Sequence, residues 1–144
     1  ERTLIKFSKT NKMILSLLTA VVLAVTPTHK KEYVEYRARI TFYSHNSDKW
    51  GKRVADPKAG GAKHGTTVAA HPDFKFGTEL EIPELKKFFG DGEFVVHDRG
   101  SAVTKKRAAK GRAYVFDVYV EDPKLVKKYS KELPEYMVVK VIKK

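Results

Sequence analysis

From Tyr33 onward apolar and polar residues alternate. Val34, Tyr36, Ala38, Ile40 and Phe42 fall on one face of an extended segment, with Glu35, Arg37 and Arg39 on the other. A period of two predicts a half-buried strand over Tyr33–Phe42. Shorter runs follow at Thr66–Ala70, which ends at His71-Pro72, and at Glu79–Ile82, which Phe76-Gly77-Thr78 introduces and Pro83 stops. Phe94–His97, Ala113–Val120 and Tyr136–Ile142 complete a set of six predicted strands. The period changes after Asp122-Pro123, which reads as a helix N-cap followed by proline at the first helical position. Leu125, Val126, Tyr129 and Leu133 then share one helical face, and Pro134 ends the helix. A turn or two of helix is also expected over Thr104–Lys110, with Thr104 as N-cap and Gly111 just past the end. Short, regularly spaced strands with one main helix predict an all-β domain closed into a small barrel.

Two of these strands carry an aspartate. Asp98 sits where Phe94–His97 ends, just ahead of the turn at Gly100, and Asp117 lies inside Ala113–Val120. Alternation places Tyr114, Phe116, Val118 and Val120 on one face, and Val115, Asp117 and Tyr119 on the other. Strands deplete Asp, and a carboxylate among apolar neighbours needs a partner or a shifted pKa. Two readings are open: an ordinary residue on a solvated face, or the perturbed carboxylate of a site.

Ahead of the first strand the pattern differs. Arg2, Lys6, Lys9 and Lys12 precede an apolar run, Met13–Val25, interrupted only by Ser16 and Thr19 and closed by Thr26-Pro27-Thr28. A basic segment followed by a short apolar one is the layout of a secretory signal. The run is short for a membrane span, which needs about 20 residues. Residues 1–28 are therefore expected to be a signal peptide, with an uncleaved anchor or a buried helix as alternatives. Residues 29–144 are expected to be the folded domain, in an exported protein that meets a membrane only through that leader.

The net charge of +12 falls to +9 without residues 1–28, 25 basic residues against 16 acidic, so the basic character belongs to the domain. A basic domain suits a polyanion: nucleic acid, anionic lipid or an acidic cell-wall polymer. Charge alone supports nucleic acid, and the chain lacks an aromatic-basic recognition motif, so that partner is not expected. The absence of cysteine excludes disulfides and thiolate metal sites.

Ser44–Gly65 is poor in apolar residues and reads as a long loop, a length that marks function or disorder in a small domain. Its Trp50, the sole tryptophan, either stacks on a sugar ring or caps the core edge. Lys105, Lys106, Arg107, Lys110 and Arg112 form a solvated face or a contact to an acidic polymer. Arg99 is a candidate ion-pair partner for Asp98 or Asp117. His71, Asp73, His97 and Asp98 match no metal-ligand spacing, so no metal or other cofactor is expected. Alternation turns His97 away from Asp98, as a core or surface histidine.

Three pieces then line up in order: Thr-Val-Ala-Ala-His-Pro at 67–72 with Phe-Gly-Thr at 76–78, His-Asp-Arg-Gly-Ser-Ala-Val at 97–103, and Val-Phe-Asp-Val-Tyr at 115–119. Together they resemble the three-aspartate (3D) domain, a six-stranded double-psi β-barrel found in membrane-bound lytic transglycosylase A and in exported cell-wall proteins. Ala-Ala-His with Phe-Gly-Thr and Asp-Arg-Gly is also similar to rare lipoprotein A and the expansin-type barrels. The resemblance spans roughly Tyr36 to Ile142. It implies that Asp117 matches the family's catalytic acid and Asp98 its second aspartate. His71 stands at the position of the first aspartate, with Asp73 two residues on, and Thr104–Arg112 lengthens the link between the other two.

The implied activity is cleavage of the β-1,4 bond between N-acetylmuramic acid and N-acetylglucosamine without water. One carboxylic acid protonates the leaving oxygen and then, as a base, takes the proton of the muramic acid 6-hydroxyl, which attacks C1 and closes a 1,6-anhydro ring. A single carboxyl suffices because the nucleophile is already on the sugar. Asp117 is expected in that role and Asp98 as its charged support. His71, Asp73, Arg99, Tyr119, Trp50, Lys105 and Arg107 are the candidate contacts to peptidoglycan strands, made by a monomer. The alternative is a non-catalytic, expansin-like module that only binds wall polysaccharide.

Overall fold

The computed structural model describes residues 30–45 and 52–144. The leader reading of residues 1–28 and any role of Trp50 lie outside the described residues. Strands β1 (Tyr33–Tyr43), β2 (Thr67–Ala69), β3 (Glu79–Glu81), β4 (Glu93–Asp98), β5 (Val115–Tyr119) and β6 (Tyr136–Ile142) form one all-β sheet. They close in the ring order β1-β5-β2-β4-β3-β6, with β6 returning to β1. The ring leaves no edge strand to be protected.

The long alternating run explains how the ring closes. β1 pairs antiparallel with β6 over Tyr33–Arg39 and parallel with β5 over Arg39–Tyr43, so one strand serves two neighbours in succession. β2 runs parallel to β4 and antiparallel to β5, while β3 is antiparallel to both β4 and β6. The inward positions of each strand meet in one core: Ala38, Ile40 and Phe42, then Val68, Leu80, Phe94 and Val96, then Phe116, Val118, Met137 and Val139. Helix Pro123–Glu132 starts as its sequence requires, with Asp122 Oδ1 accepting the Lys124 N–H at 2.8 Å. It seats Tyr129 in that core, with Leu125, Val126 and Leu133 packed alongside.

Of the turn or two of helix expected over Thr104–Lys110, a single 3-10 turn forms, at Arg107–Ala109, and Thr104 is not its N-cap. A short helix, α1, spans Ser101–Thr104, which makes Pro123–Glu132 α2. Thr104 closes α1 instead of capping a helix, and its hydroxyl donates to the Gly100 carbonyl at 2.8 Å. Lys106 and Lys110 take left-handed conformations, with φ of 50° and 51°, on either side of a 3-10 turn at Arg107–Ala109. Left-handed residues cannot sit inside a right-handed helix, so two of the lysines break the expected run.

This irregular segment covers the outside of the barrel. Val103 and Ala109 pack with Ala69 and Val115, against the edges of Tyr43 and Ala113. Both faces of β5 are therefore buried around Asp117, which corrects the reading of a simple solvated face.

Candidate active site

The two aspartates meet because of strand register. Thr41 and Ala69 pair with Asp117 from the two sides of β5, and Ala69 pairs in turn with Asp98. The row Thr41–Asp117–Ala69–Asp98 thus crosses β1, β5, β2 and β4. Its last step depends on an irregularity. Thr67 pairs with Val95 and Val68 with Val96, so an unbroken ladder would set Ala69 against His97. The register shifts between Val68 and Ala69, and Asp98 takes that place. Strict alternation would have sent Asp98 inward with Phe94 and Val96; a bulge re-aims a side chain in this way.

The two carboxylates have opposite surroundings. Asp98 is buried and, among the described residues, accepts three hydrogen bonds: Tyr43 Oη at 2.7 Å on Oδ2, and the Ala55 and Arg99 N–H groups, each at 2.9 Å, on Oδ1. Asp117 is half-buried and, among the described residues, accepts one, from Thr41 Oγ1 at 2.8 Å. Burial pushes the Asp117 carboxyl up to about 6, the negative charge of Asp98 adds to that, and the Thr41 hydroxyl opposes it. Burial also raises the Tyr43 phenol far above its ordinary value, with the Asp98 hydrogen bond and charge adding to the effect, so Tyr43 remains a donor.

The other candidate residues separate into three groups. Arg99 lies beside Asp98 but its guanidinium makes no ion pair with either aspartate. It donates to the carbonyls of Ala70 at 3.2 Å, Asp98 at 3.1 Å and Phe74 at 2.6 Å, and stacks 4.2 Å from the Phe76 ring. Arg99 therefore fastens the chain after β2 to the end of β4. Tyr119 is buried too, its ring 5.5 Å from Tyr43 and 5.4 Å from His45, so it supports the Tyr43 side of the site and offers no surface to a ligand.

His71 and Asp73 form a separate cluster at the start of β5. Asp73 Oδ2 accepts from Tyr114 Oη at 2.6 Å, its N–H donates to His71 Nδ1 at 3.2 Å, and Lys106 Nζ lies 4.2 Å over the Tyr114 ring. The Tyr114 hydroxyl, then the charges of His71 and Lys106, hold the Asp73 carboxyl below its usual range. Asp73 and Tyr114 help line a cavity of about 440 Å³ where β1 begins and β6 ends, walled by Tyr36, Phe74 and Val141. Lys105 and Arg107 lie in the segment beside β5, Lys105 exposed and Arg107 exposed. Among the described residues no three acidic, histidine or cysteine side chains converge as a metal site would require.

Three functional neighbours escape sequence reasoning. Thr41 and Tyr43 continue the polar face of β1, and only the parallel pairing of β1 with β5 brings them to the aspartates. Asp56, in the long loop, carries no local signal. It is buried, and its Oδ2 lies 2.8 Å from His97 Nδ1. His97 thus has an acidic partner of its own in Asp56.

No family model matches the chain, and no curated protein matches it. Its class is set by fold and site: an all-β protein whose single sheet displays two contrasting aspartates on one row.

Proposed function

We propose that this chain is an exported double-psi β-barrel that acts on peptidoglycan, as a lytic transglycosylase cleaving the bond between N-acetylmuramic acid and N-acetylglucosamine. The observation that carries the reading is the contrast between Asp117 and Asp98. With its carboxyl near 6, Asp117 holds a proton in mildly acidic medium and releases it readily, as an acid that must later act as base requires. Protonated Asp117 gives its proton to the glycosidic oxygen as that bond breaks. The resulting carboxylate takes the proton of the muramic acid 6-hydroxyl as its oxygen bonds to C1. Asp98, fixed by its three donors, supplies a negative charge opposite the positive charge developing at C1. The six-strand ring and its two parallel pairs support the double-psi assignment, and the ordered motifs around Ala69, Asp98 and Asp117 support the substrate.

The test is mass spectrometry of purified peptidoglycan after incubation with the protein and with Asp117→Asn. The wild type should release 1,6-anhydro-muropeptides. Removing the transferable proton should cut release by about 10²–10⁴-fold. Equal release by Asp117→Asn would exclude this site. Binding without any release would make the chain an expansin-like wall-binding module, the reading that His71 in place of a first aspartate favours.

A further inference from the structure

The bulge that brings Asp98 to Ala69 displaces His97 from the ladder, and the displaced residue is gripped twice by one loop residue. The Asp56 N–H donates to the His97 carbonyl at 2.9 Å, and Asp56 Oδ2 meets His97 Nδ1 at 2.8 Å. The next residue back, Ala55, gives its N–H to Asp98 Oδ1 at 2.9 Å. Neighbours in the loop therefore hold neighbours in β4: Asp56 on His97, Ala55 on Asp98. A shift of the first pair must move the second.

We propose that Asp56 and His97 are positioning residues for the Asp117–Asp98 site, fastening the loop so that the Ala55 N–H keeps Asp98 in place beside Asp117. The described part of the loop, residues 52–65, is tied elsewhere by Lys52 to Glu121 at 2.7 Å, by the Glu121 N–H on His64 Nδ1 at 3.0 Å and by the Gly65 N–H on the Tyr119 carbonyl at 3.1 Å, but its hydrogen bonds to β4 come from Ala55 and Asp56. Ala62 is its one buried apolar side chain, while Asp56 is 8% exposed, a carboxylate that is costly to bury without partners. Its partners are all present. Oδ1 accepts the Lys58 N–H at 2.9 Å, and that bond, followed by the one to His97, holds its carboxyl below the ordinary range. The charges of Lys58 and Arg99 also bear on it. With Asp56 satisfied on every side, the segment is tied down by polar contacts where apolar ones are lacking.

The catalytic consequence rests on the proposed function, but the clamp itself can be measured without it. A loosened loop admits water beside Asp117, and relief of the burial that raises its carboxyl lowers the Asp117 midpoint. Carboxyl ¹³C titration of Asp117 by NMR should therefore show a fall of roughly one pH unit in His97→Ala and in Asp56→Ala. His97→Gln, which retains an N–H donor, should recover part of that fall. An Asp117 midpoint unchanged in both alanine variants, folded by circular dichroism, would overturn the proposal. Should neither variant fold, hydrogen exchange in the wild type decides: slow exchange at the Ala55 N–H is expected, and exchange at the rate of an open loop overturns it. If the wild type forms anhydro product, His97→Ala should lower kcat on the order of 10–100-fold while Asp98 and Asp117 stay intact. If it forms none, the transglycosylase reading fails and the titration still judges the clamp.

Discussion

The Thr41 hydroxyl donates to Asp117 Oδ1 at 2.8 Å, and among the described residues it is the one hydrogen bond that Asp117 accepts from a side chain. That bond favours the charged carboxylate, against the burial and the Asp98 charge that disfavour it. Thr41→Val keeps the β-branched shape and removes the donor. The Asp117 midpoint should then rise above its present value of about 6. NMR titration of the Asp117 carboxyl reads this directly, and a lower midpoint would show that Thr41 is not its main hydrogen-bond partner. In activity, the high-pH limb of the kcat/KM profile should move up with it.

Asp117 also makes stability depend on pH, and the sign follows from its direction of shift. Its carboxyl is raised from 3.8 unfolded to about 6 folded, so the folded state holds more protons between those values. Stability conferred by that proton is complete below pH 3.8 and is lost as pH rises through about 6. Asp117→Asn removes the burden of a buried charge. The variant should be more stable than wild type at pH 8, by up to about 3 kcal/mol, with the difference vanishing near pH 3. Urea denaturation at both pH values measures it, and a destabilised variant at pH 8 would contradict the assigned burial.

Among the described residues Tyr43 gives Asp98 its one side-chain hydrogen bond, at 2.7 Å. Tyr43→Phe preserves the ring packing on Tyr119 and His45 and leaves a buried carboxylate short of a donor. Hydrogen bonds to charged groups contribute about 1.5–3 kcal/mol, so thermal or urea unfolding near neutral pH should show a loss of that size. A loss below about 0.5 kcal/mol would mean that water replaces the phenol at little cost.

Gly65 lies at φ +63°, and a Cβ there would come within 2.6 Å of Phe89 Cδ1. Its N–H also donates to the Tyr119 carbonyl at 3.1 Å, next to the site. Gly65→Ala should destabilise by at least about 1–2 kcal/mol from the left-handed backbone alone, before any repacking of Phe89. Comparison of unfolding midpoints checks this, with Gly77→Ala, which has open space around the added carbon, as the control for the backbone term.

If the basic segment beside β5 holds an anionic wall, binding to wall sacculi should weaken with salt, since screening acts over about 10 Å at 0.1 M. Replacing Lys105, Lys106 and Arg107 by Gln should flatten that dependence. An identical salt curve would reduce these residues to a solvated surface.

Local pattern by itself determined the elements. The alternation from Tyr33, the proline stops and the Asp122-Pro123 cap are short-range signals, and each strand and the main helix lie where those signals put them, within a residue or two at most ends. It also singled out Asp117, because a carboxylate amid strand-forming residues is anomalous wherever the strand ends up. The all-β class follows from the same periodicity. What the tertiary structure decided is every relation between elements. Asp98 reaches Asp117's row through a one-residue slip between β2 and β4, and a slip of that kind leaves no mark in composition. Thr41 and Tyr43 become partners of the aspartates through a parallel pairing across more than seventy residues. Asp56 finds His97 from a loop whose sequence has no period to read. Arg99, charged and adjacent to Asp98, satisfies carbonyls instead, because its fork lies over the turn after β2, where Ala70 and Phe74 present them. The raised carboxyl of Asp117 comes chiefly from burial, and burial is a property of the folded barrel with its covering segment, which neighbours in sequence do not specify.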